Sequence, residues 1–290
     1  MSQSVLTKIF SWCMMMKSFF IFYMINKNIS KEEAQVEAKK NIKDMKEKGV
    51  QNYFMDCFSD LSKGLVKNFD TVVCMDEGTA GISLLEGKLC IAGSGILYPA
   101  ADREDRLTKL AKIFIDQQIQ KITGHDDCGA VALSLQQENP DRTFSMEEIN
   151  GVAKKWGRDL VMKVCELGGE VEFDYFKMDQ MTRDKFHNAV VAYYDLSGRF
   201  NPDRLGENVP PGFVINQKVF GEEYTRQELR IAVSIALGHH GLGEFFSVET
   251  PFIIIPVLMS TDDFGVVDSL KEEFSGNERV LVSPLVIPDR

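Results

Sequence analysis

The sequence has little of several features that mark large classes of protein. Its six cysteines are spread over 290 residues, which is too sparse for the disulfide frameworks of small secreted domains and favours a reducing compartment. The 33 basic residues form no cluster and are outnumbered by 43 acidic ones, so that the formal charge is -10. Because nucleic-acid binding depends on clustered positive charge, this balance argues against a nucleic-acid partner.

Long apolar runs are also scarce. The run at 18–25 is about half as long as a bilayer span requires, so no stable membrane span is expected. Residues 1–29 have no acidic residue and carry Lys8 and Lys17 around apolar blocks. We interpret this segment as an N-terminal arm, with a targeting segment or a translation start at Met24 as the alternatives. For the protein as a whole we expect a cytoplasmic location.

The chain after residue 29 alternates helical patterns with short apolar runs. Ser30 and Glu33 form a capping box that predicts the start of a charged helix. Apolar runs at 71–74 and 89–92 are typical of buried parallel strands, and residues 103–120 have helical spacing and lead into a further apolar run. Strand, helix and strand in this order indicate a crossover in a parallel sheet. The sequence therefore predicts an α/β fold with a mainly parallel central sheet flanked by helices.

The composition of the sequence changes beyond residue 200. A loop rich in proline and glycine is followed by a helical pattern from about 226 to 237 and by strand-like runs at 251–258 and 280–287, whose prolines favour sheet edges. We divide the chain into the arm 1–29, a domain at 30–200, and an α+β extension at 201–290 packed on the same core. No convincing internal repeat is present, although the segments VVCMDEG and VVAYYDLSG are similar.

Metal-ligating side chains lie where two apolar runs give way to glycine. Cys74 and Asp76 belong to the stretch CMDEG, and His125 and Cys128 belong to the stretch GHDDCG. Because the carboxyl ends of neighbouring parallel strands meet at one edge of a sheet, we expect the four side chains to converge. Two thiolates, an imidazole and a carboxylate form a tetrahedral zinc set. The sequence therefore predicts one Zn2+ bound by these residues.

Three stretches, CMDEG, IAGSG and GHDDCGA, resemble signatures of the β-class carbonic anhydrases in order and spacing. Those signatures are Cys-x-Asp-x-Arg, Ala-Gly-Asn and Gly-His-x-x-Cys-Gly. Residues 186–200 resemble the closing strand and turn of that family, so the resemblance covers about 60–200. It implies that Cys74, His125 and Cys128 are zinc ligands and that Asp76 is the catalytic carboxylate beside the metal. It also implies reversible hydration of carbon dioxide to bicarbonate by zinc-bound hydroxide, in a homodimer or a larger homo-oligomer.

The chain departs from the family pattern at the motif arginine, where it has Gly78. In the family that arginine pairs with the aspartate and holds it off the metal. Glycine offers no such side chain, so we predict that Asp76 itself takes the fourth zinc position near neutral pH and that activity appears as the pH rises. Arg103 or Arg106 is the alternative source of the missing cation.

Three functions remain open from the sequence. The leading hypothesis is a carbonic anhydrase, and a related activity is hydrolysis of a similar small substrate such as carbonyl sulfide. A protein stabilised by a closed zinc site without catalysis is the alternative from another class, and Gly78 favours it. A redox pair of Cys74 and Cys128 is the weakest hypothesis, because the sequence has no Cys-x-x-Cys motif.

Overall fold

The structure is a computed structural model that describes residues 30–75, 87–177, 186–206, 208–259 and 264–288. It consists of two parallel sheets flanked by helices, so the predicted α/β fold is confirmed. The helices of the described residues are α1 Lys31–Lys48, α2 Val50–Cys57, α3 Arg103–Asp116, α4 Gly129–Glu138, α5 Met146–Glu166, α6 Gln217–Phe220, α7 Glu222–Leu237 and α8 Phe264–Phe274. The strands are β1 Thr71–Val73, β2 Lys88–Cys90, β3 Lys121–His125, β4 Glu172–Phe176, β5 Val191–Asp195, β6 Gly212–Asn216, β7 Phe252–Leu258, β8 Val280–Val282 and β9 Leu285–Val286.

The first helix begins where its capping signal predicts. The Ser30 side chain accepts a hydrogen bond from the Glu33 backbone, and the Glu33 carboxylate accepts one from the Ser30 backbone. This reciprocal pair satisfies two of the amide groups that a helix start leaves without a partner. The prediction of a capped helix at this point is confirmed.

The first sheet contains β1 to β4 in the order β2-β1-β3-β4, and all its pairings are parallel. Helix α3 connects β2 to β3, and α4 and α5 connect β3 to β4. Buried apolar residues of α3 and α5 occur at helical spacing, so each helix has one face turned to the core. The strand, helix and strand arrangement predicted for this region is therefore present.

The second sheet has the order β6-β5-β7-β8, with β9 also pairing with β7, and it is parallel as well. Strand β5 belongs to this sheet, although the sequence analysis placed it at the end of the domain 30–200. The division at residue 200 therefore cuts a sheet. A strand's own pattern indicates burial on both faces but does not identify its partners, which here come from later in the chain.

The two sheets repeat one topology. The spatial order is β2-β1-β3-β4 in the first sheet and β6-β5-β7-β8 in the second. In both sheets, therefore, the strand that comes second along the chain lies at the edge, next to the strand that comes first. The similar segments VVCMDEG and VVAYYDLSG contain parts of β1 and β5, which are the first strands of the two sheets. The same strand order therefore recurs in both sheets, although the sequence shows no convincing internal repeat.

The proline of β7 corrects a second prediction. Pro256 was expected to favour a sheet edge, but β7 lies between β5 and β8. Strand β8 pairs with β7 as far as Ile254, and β9 begins to pair at Val257. Pro256 therefore lies opposite the break between these two partners, where the ladder on that side is already interrupted and a missing N–H is tolerated.

The hydrophobic core consists of two clusters. One cluster surrounds the first sheet, and the other surrounds the second sheet and includes α1 and α2. For example, the Phe54 ring of α2 packs edge-on against Tyr193 of β5 with 6.3 Å between ring centroids. The run 252–258 is buried in this second cluster, so its apolar side chains are covered by this chain itself.

The two sheets meet along β2 and β6, which are edge strands of their own sheets. The Cys90 N–H donates to Asn216 Oδ1 at 3.0 Å. Lys88 is 3% exposed and forms an ion pair with Asp203. These contacts join β2 of the first sheet to β6 of the second sheet and to Asp203 in the connection between β5 and β6.

No helix within the described ranges is both long enough and apolar enough to cross a membrane.

Candidate metal centre

Cys74, His125 and Cys128 converge at the carboxyl edge of the first sheet. Cys74 directly follows β1, His125 is the last residue of β3, and Cys128 is the N-cap of α4. Strands β1 and β3 are paired, with Thr71 opposite Lys121, so their ends lie side by side. The ligand atoms of the three residues all lie within 4.8 Å of one another. The predicted convergence of these three side chains is confirmed.

The three side chains form a buried site. Cys74 is 6% exposed, and His125 and Cys128 are each 2% exposed. In the described part of the chain, this is the one group of three or more potential metal ligands that meets such a spacing. Cys128 also lies at a helix N-terminus, where the helix dipole favours a negative charge such as a thiolate.

The donor set fits a zinc ion. Ligands at about 2.3 Å for sulfur and 2.0–2.1 Å for nitrogen around a tetrahedral centre lie roughly 3.5–3.8 Å apart, which is compatible with the observed cluster. His125 Nδ1 lies 2.8 Å from the Asp126 carbonyl oxygen. A carbonyl can only accept, so Nδ1 carries the proton and Nε2 presents the lone pair that a metal requires. The ring is therefore held in a ligating tautomer.

The two thiols favour a cation between them. A hydrogen bond with Cys128 holds the pKa of the Cys74 thiol well above its usual range, and burial and the Cys128 charge act in the same direction. His125 opposes these effects. Two adjacent buried thiols do not both ionise readily without a positive charge beside them. Binding of a divalent metal would supply that charge and release the protons.

The turn after β2 packs against the site. Gly93 and Ser94, in the stretch IAGSG, both have a φ of 54°, in the left-handed region. A Cβ on Gly93 would lie 2.9 Å from Ala130 Cβ and 3.4 Å from Cys128 Sγ. The Gly93 N–H donates to Cys74 Sγ at 3.3 Å. Glycine at this position thus allows the backbone itself to approach a sulfur of the candidate metal site.

The same turn is held by the neighbouring elements. Ser94 Oγ donates to the Thr123 carbonyl of β3, and Trp156 Nε1 of α5 donates to the Ser94 carbonyl at 3.1 Å. Both contacts involve buried groups, where a lost hydrogen bond is expensive. The backbone donor to Cys74 therefore lies on a well-supported segment.

The ligand loop from His125 to Cys128 is anchored on two sides. The Tyr175 hydroxyl of β4 donates to Asp126 Oδ1 at 2.8 Å. The Asp127 N–H donates to Asn150 Oδ1 of α5 at 2.9 Å, and Asp127 has a φ of 55°. Tyr175 and Asn150 were not predicted from the sequence, because neither lies in a motif and both come from elements later in the chain.

Asp76 and Gly78 lie outside the described residues, so the fourth ligand stays a prediction. The two arginines considered as replacements for the motif arginine have other partners. Arg103 pairs with Asp159, and Arg106 donates to the carbonyl groups of Tyr98 and Ile96 at 2.6 Å.

A buried carboxylate that was not predicted from the sequence reaches this region from α7, the helix that packs on the second sheet. Glu228 of α7 is 1% exposed, and its Oε1 accepts the Ala92 N–H at 2.6 Å. Burial raises the pKa of Glu228 to about 7, although its hydrogen bonds act in the opposite direction. A signal was present in the sequence. Glu228 stands four residues from both Tyr224 and Ala232, which places a charged residue on the apolar face of a helix.

Comparisons of the chain with protein-family models, with curated proteins and with solved structures found no match. Its function must therefore be inferred from the chemistry of the site.

Proposed function

We propose that this protein is a zinc enzyme that reversibly hydrates carbon dioxide to bicarbonate, with Cys74, His125 and Cys128 as zinc ligands. The observation that carries the proposal is the convergence of two thiols and one imidazole within 4.8 Å at the carboxyl edge of a parallel sheet. The three ligands also stand in the order and spacing of the carbonic anhydrase signatures. Three protein ligands with one open position are typical of catalytic zinc sites.

A zinc ion held by these residues would bring the pKa of water in an open fourth position to about 7 and so would supply the nucleophile for hydration. The chain's own residues prepare the site for the ion. Two thiolates would balance the charge of a divalent cation and so lower the cost of burying it, and binding of Asp76 would leave one net negative charge. The Asp126 carbonyl orients His125, and the Gly93 N–H supports the Cys74 sulfur.

Asp76 sets the pH range of the proposed activity. It stands two residues from Cys74, and Gly78 provides no cation to hold it off the metal. In this proposal Asp76 occupies the fourth position near neutral pH and gives it up as the pH rises. The activity is therefore low at pH 7 and increases towards pH 9.

The experiment measures zinc content and carbon dioxide hydration in the same preparations between about pH 7 and pH 9, a range that includes the pKa of zinc-bound water and extends to that of aqueous zinc. We expect one zinc per chain in the wild type. Cys74→Ser should lose the metal and unfold at a lower temperature, because lost coordination acts on the folded state. The controls are Cys165→Ser, at an exposed cysteine, and Cys90→Ala, at a buried cysteine outside the cluster.

Retention of a full zinc equivalent by Cys74→Ser would contradict the ligand assignment. A closed, non-catalytic zinc site is the second candidate, and Gly78 in place of the motif arginine is the observation that favours it. It predicts stoichiometric zinc, a large loss of stability on chelation, and no hydration at any pH in the range. Carbonyl sulfide is assayed alongside carbon dioxide. Turnover of carbonyl sulfide alone would overturn the proposed substrate but not the proposed zinc ligands.

A further inference from the structure

Glu228 is a buried acidic residue that the proposed chemistry does not use. It lies on α7, and its Oε1 accepts two hydrogen bonds, from the Ala92 N–H at 2.6 Å and from the Tyr224 hydroxyl at 2.8 Å. Its Oε2 is also buried and has no hydrogen-bond partner among the described residues. Burial of a carboxylate with one oxygen unsatisfied opposes folding. Its presence here therefore suggests a role other than stability.

The bond to Ala92 acts on the turn that contacts the metal site. Ala92 and Gly93 are consecutive, and their two N–H groups point to different acceptors. The Ala92 N–H donates to Glu228, and the Gly93 N–H donates to Cys74 Sγ at 3.3 Å. Because these donors lie in one short turn with left-handed backbone angles at Gly93 and Ser94, the position of the first amide constrains the orientation of the second.

The acceptor of the Ala92 N–H comes from α7, the helix that packs on the second sheet. Glu228 and Ala92 are 136 residues apart in the chain, and α7 follows β6, which lies against β2 through the bond between Asn216 and Cys90. Tyr224 keeps the carboxylate in place through its hydroxyl, and its ring packs against Tyr98 with 5.0 Å between centroids. A side chain of the second half of the molecule is thus built into the surroundings of the metal ligands.

We propose that Glu228 is a positioning residue for the zinc centre, which fixes the Ala92 amide so that the Gly93 N–H is aimed at Cys74 Sγ. The inference rests on the zinc site of the proposed function but not on its catalytic activity. It assigns to residues 201–290 a part in metal binding. Outer-shell partners of metal ligands typically change metal affinity by about 10- to 100-fold.

The test compares three substitutions in the full-length chain, with zinc affinity measured by chelator competition and with the cobalt-thiolate absorption bands of the Co2+ form. Glu228→Leu removes the acceptor at similar volume, and we expect zinc to bind about tenfold more weakly, with a shifted cobalt-thiolate band. Glu228→Gln retains an acceptor oxygen and should bind zinc as the wild type does. Leu229→Ala, at the adjacent and fully buried position, is the control that lowers stability without removing the acceptor.

Unchanged affinity and an unchanged cobalt band in Glu228→Leu overturn the inference, as does an equal loss of affinity in Leu229→Ala or in Glu228→Gln. If Glu228→Leu does not fold, Glu228→Asp replaces it, because the shorter side chain moves the acceptor away by one methylene and keeps the charge. Weaker zinc binding with a shifted cobalt band is then expected, and no change in either overturns the inference. A wild-type chain that binds no zinc overturns the proposed function and this inference together. If the wild type binds zinc and Glu228→Leu binds it with the same affinity, only this inference is overturned.

Discussion

Glutamine at position 228 should change how the stability of this protein depends on pH. Burial raises the pKa of Glu228 from its ordinary value of 4.5 to about 7 in the folded chain. Between these two pH values the folded protein holds a proton that the unfolded chain has released. The free energy of unfolding contributed by this group is therefore fully present below about pH 4.5, falls as the pH rises, and is lost above about pH 7.

The size of the effect follows from the two pKa values. A tenfold change in a proton equilibrium corresponds to about 1.4 kcal/mol, so the rise from 4.5 to about 7 corresponds to about 3 kcal/mol. Glutamine resembles the neutral acid in shape and does not ionise. Glu228→Gln should accordingly match the wild type near pH 4.5 and exceed its free energy of unfolding by up to about 3 kcal/mol at pH 8.

Two groups near Glu228 have pKa values above this window. The pKa of Tyr224, the hydroxyl donor to Glu228, is raised well above its usual value, and burial raises that of Cys90 to about 12. A zinc ion with two thiolates adds no net charge relative to the metal-free dithiol, so the metal should change the pKa of Glu228 little. Zinc binding also releases thiol protons and makes the stability of both proteins depend on pH, but this dependence cancels in the difference between the wild type and Glu228→Gln.

Urea unfolding of the wild type and of Glu228→Gln at pH 5, 6, 7 and 8 measures the difference directly. Glu223→Gln, at an exposed position of the same helix, is the control and should leave the pH profile of the wild type unchanged. Parallel profiles for the wild type and Glu228→Gln over this range would refute the reasoning, because the buried carboxylate would then have an ordinary pKa.

Two further predictions concern packing and assembly. Gly157→Ala should lower the free energy of unfolding by about 1–3 kcal/mol, because its Cβ would lie 2.0 Å from the Phe173 ring. Gly151→Ala, on the same helix with no atom within 4 Å of the new Cβ, should raise it by about 0.5–1 kcal/mol; equal effects in urea unfolding would contradict this packing. Sedimentation at micromolar concentration should show the homodimer or larger homo-oligomer that the carbonic anhydrase resemblance implies, and a clean monomer would count against it.

The candidate metal-ligand cluster could be predicted because each of its signals is local. Cys74 ends an apolar run, and His125 and Cys128 flank the next strand end and helix start. The rule that parallel strands place their carboxyl ends at one edge brings these local signals together without knowledge of the remaining fold. The supporting residues Tyr175 and Asn150 could not be found in this way, since no local pattern relates them to the loop that they anchor.

Local sequence also determined the α/β character of the chain and the start of α1, because capping residues and hydrophobic periodicity act over a few residues. Only the tertiary structure decided that β5 joins the second sheet and that the two sheets repeat one strand order. It also decided that Glu228 meets Ala92 across 136 residues of sequence. Such contacts depend on which edges and faces come together when two cores form, and a local pattern carries no information about its distant partner.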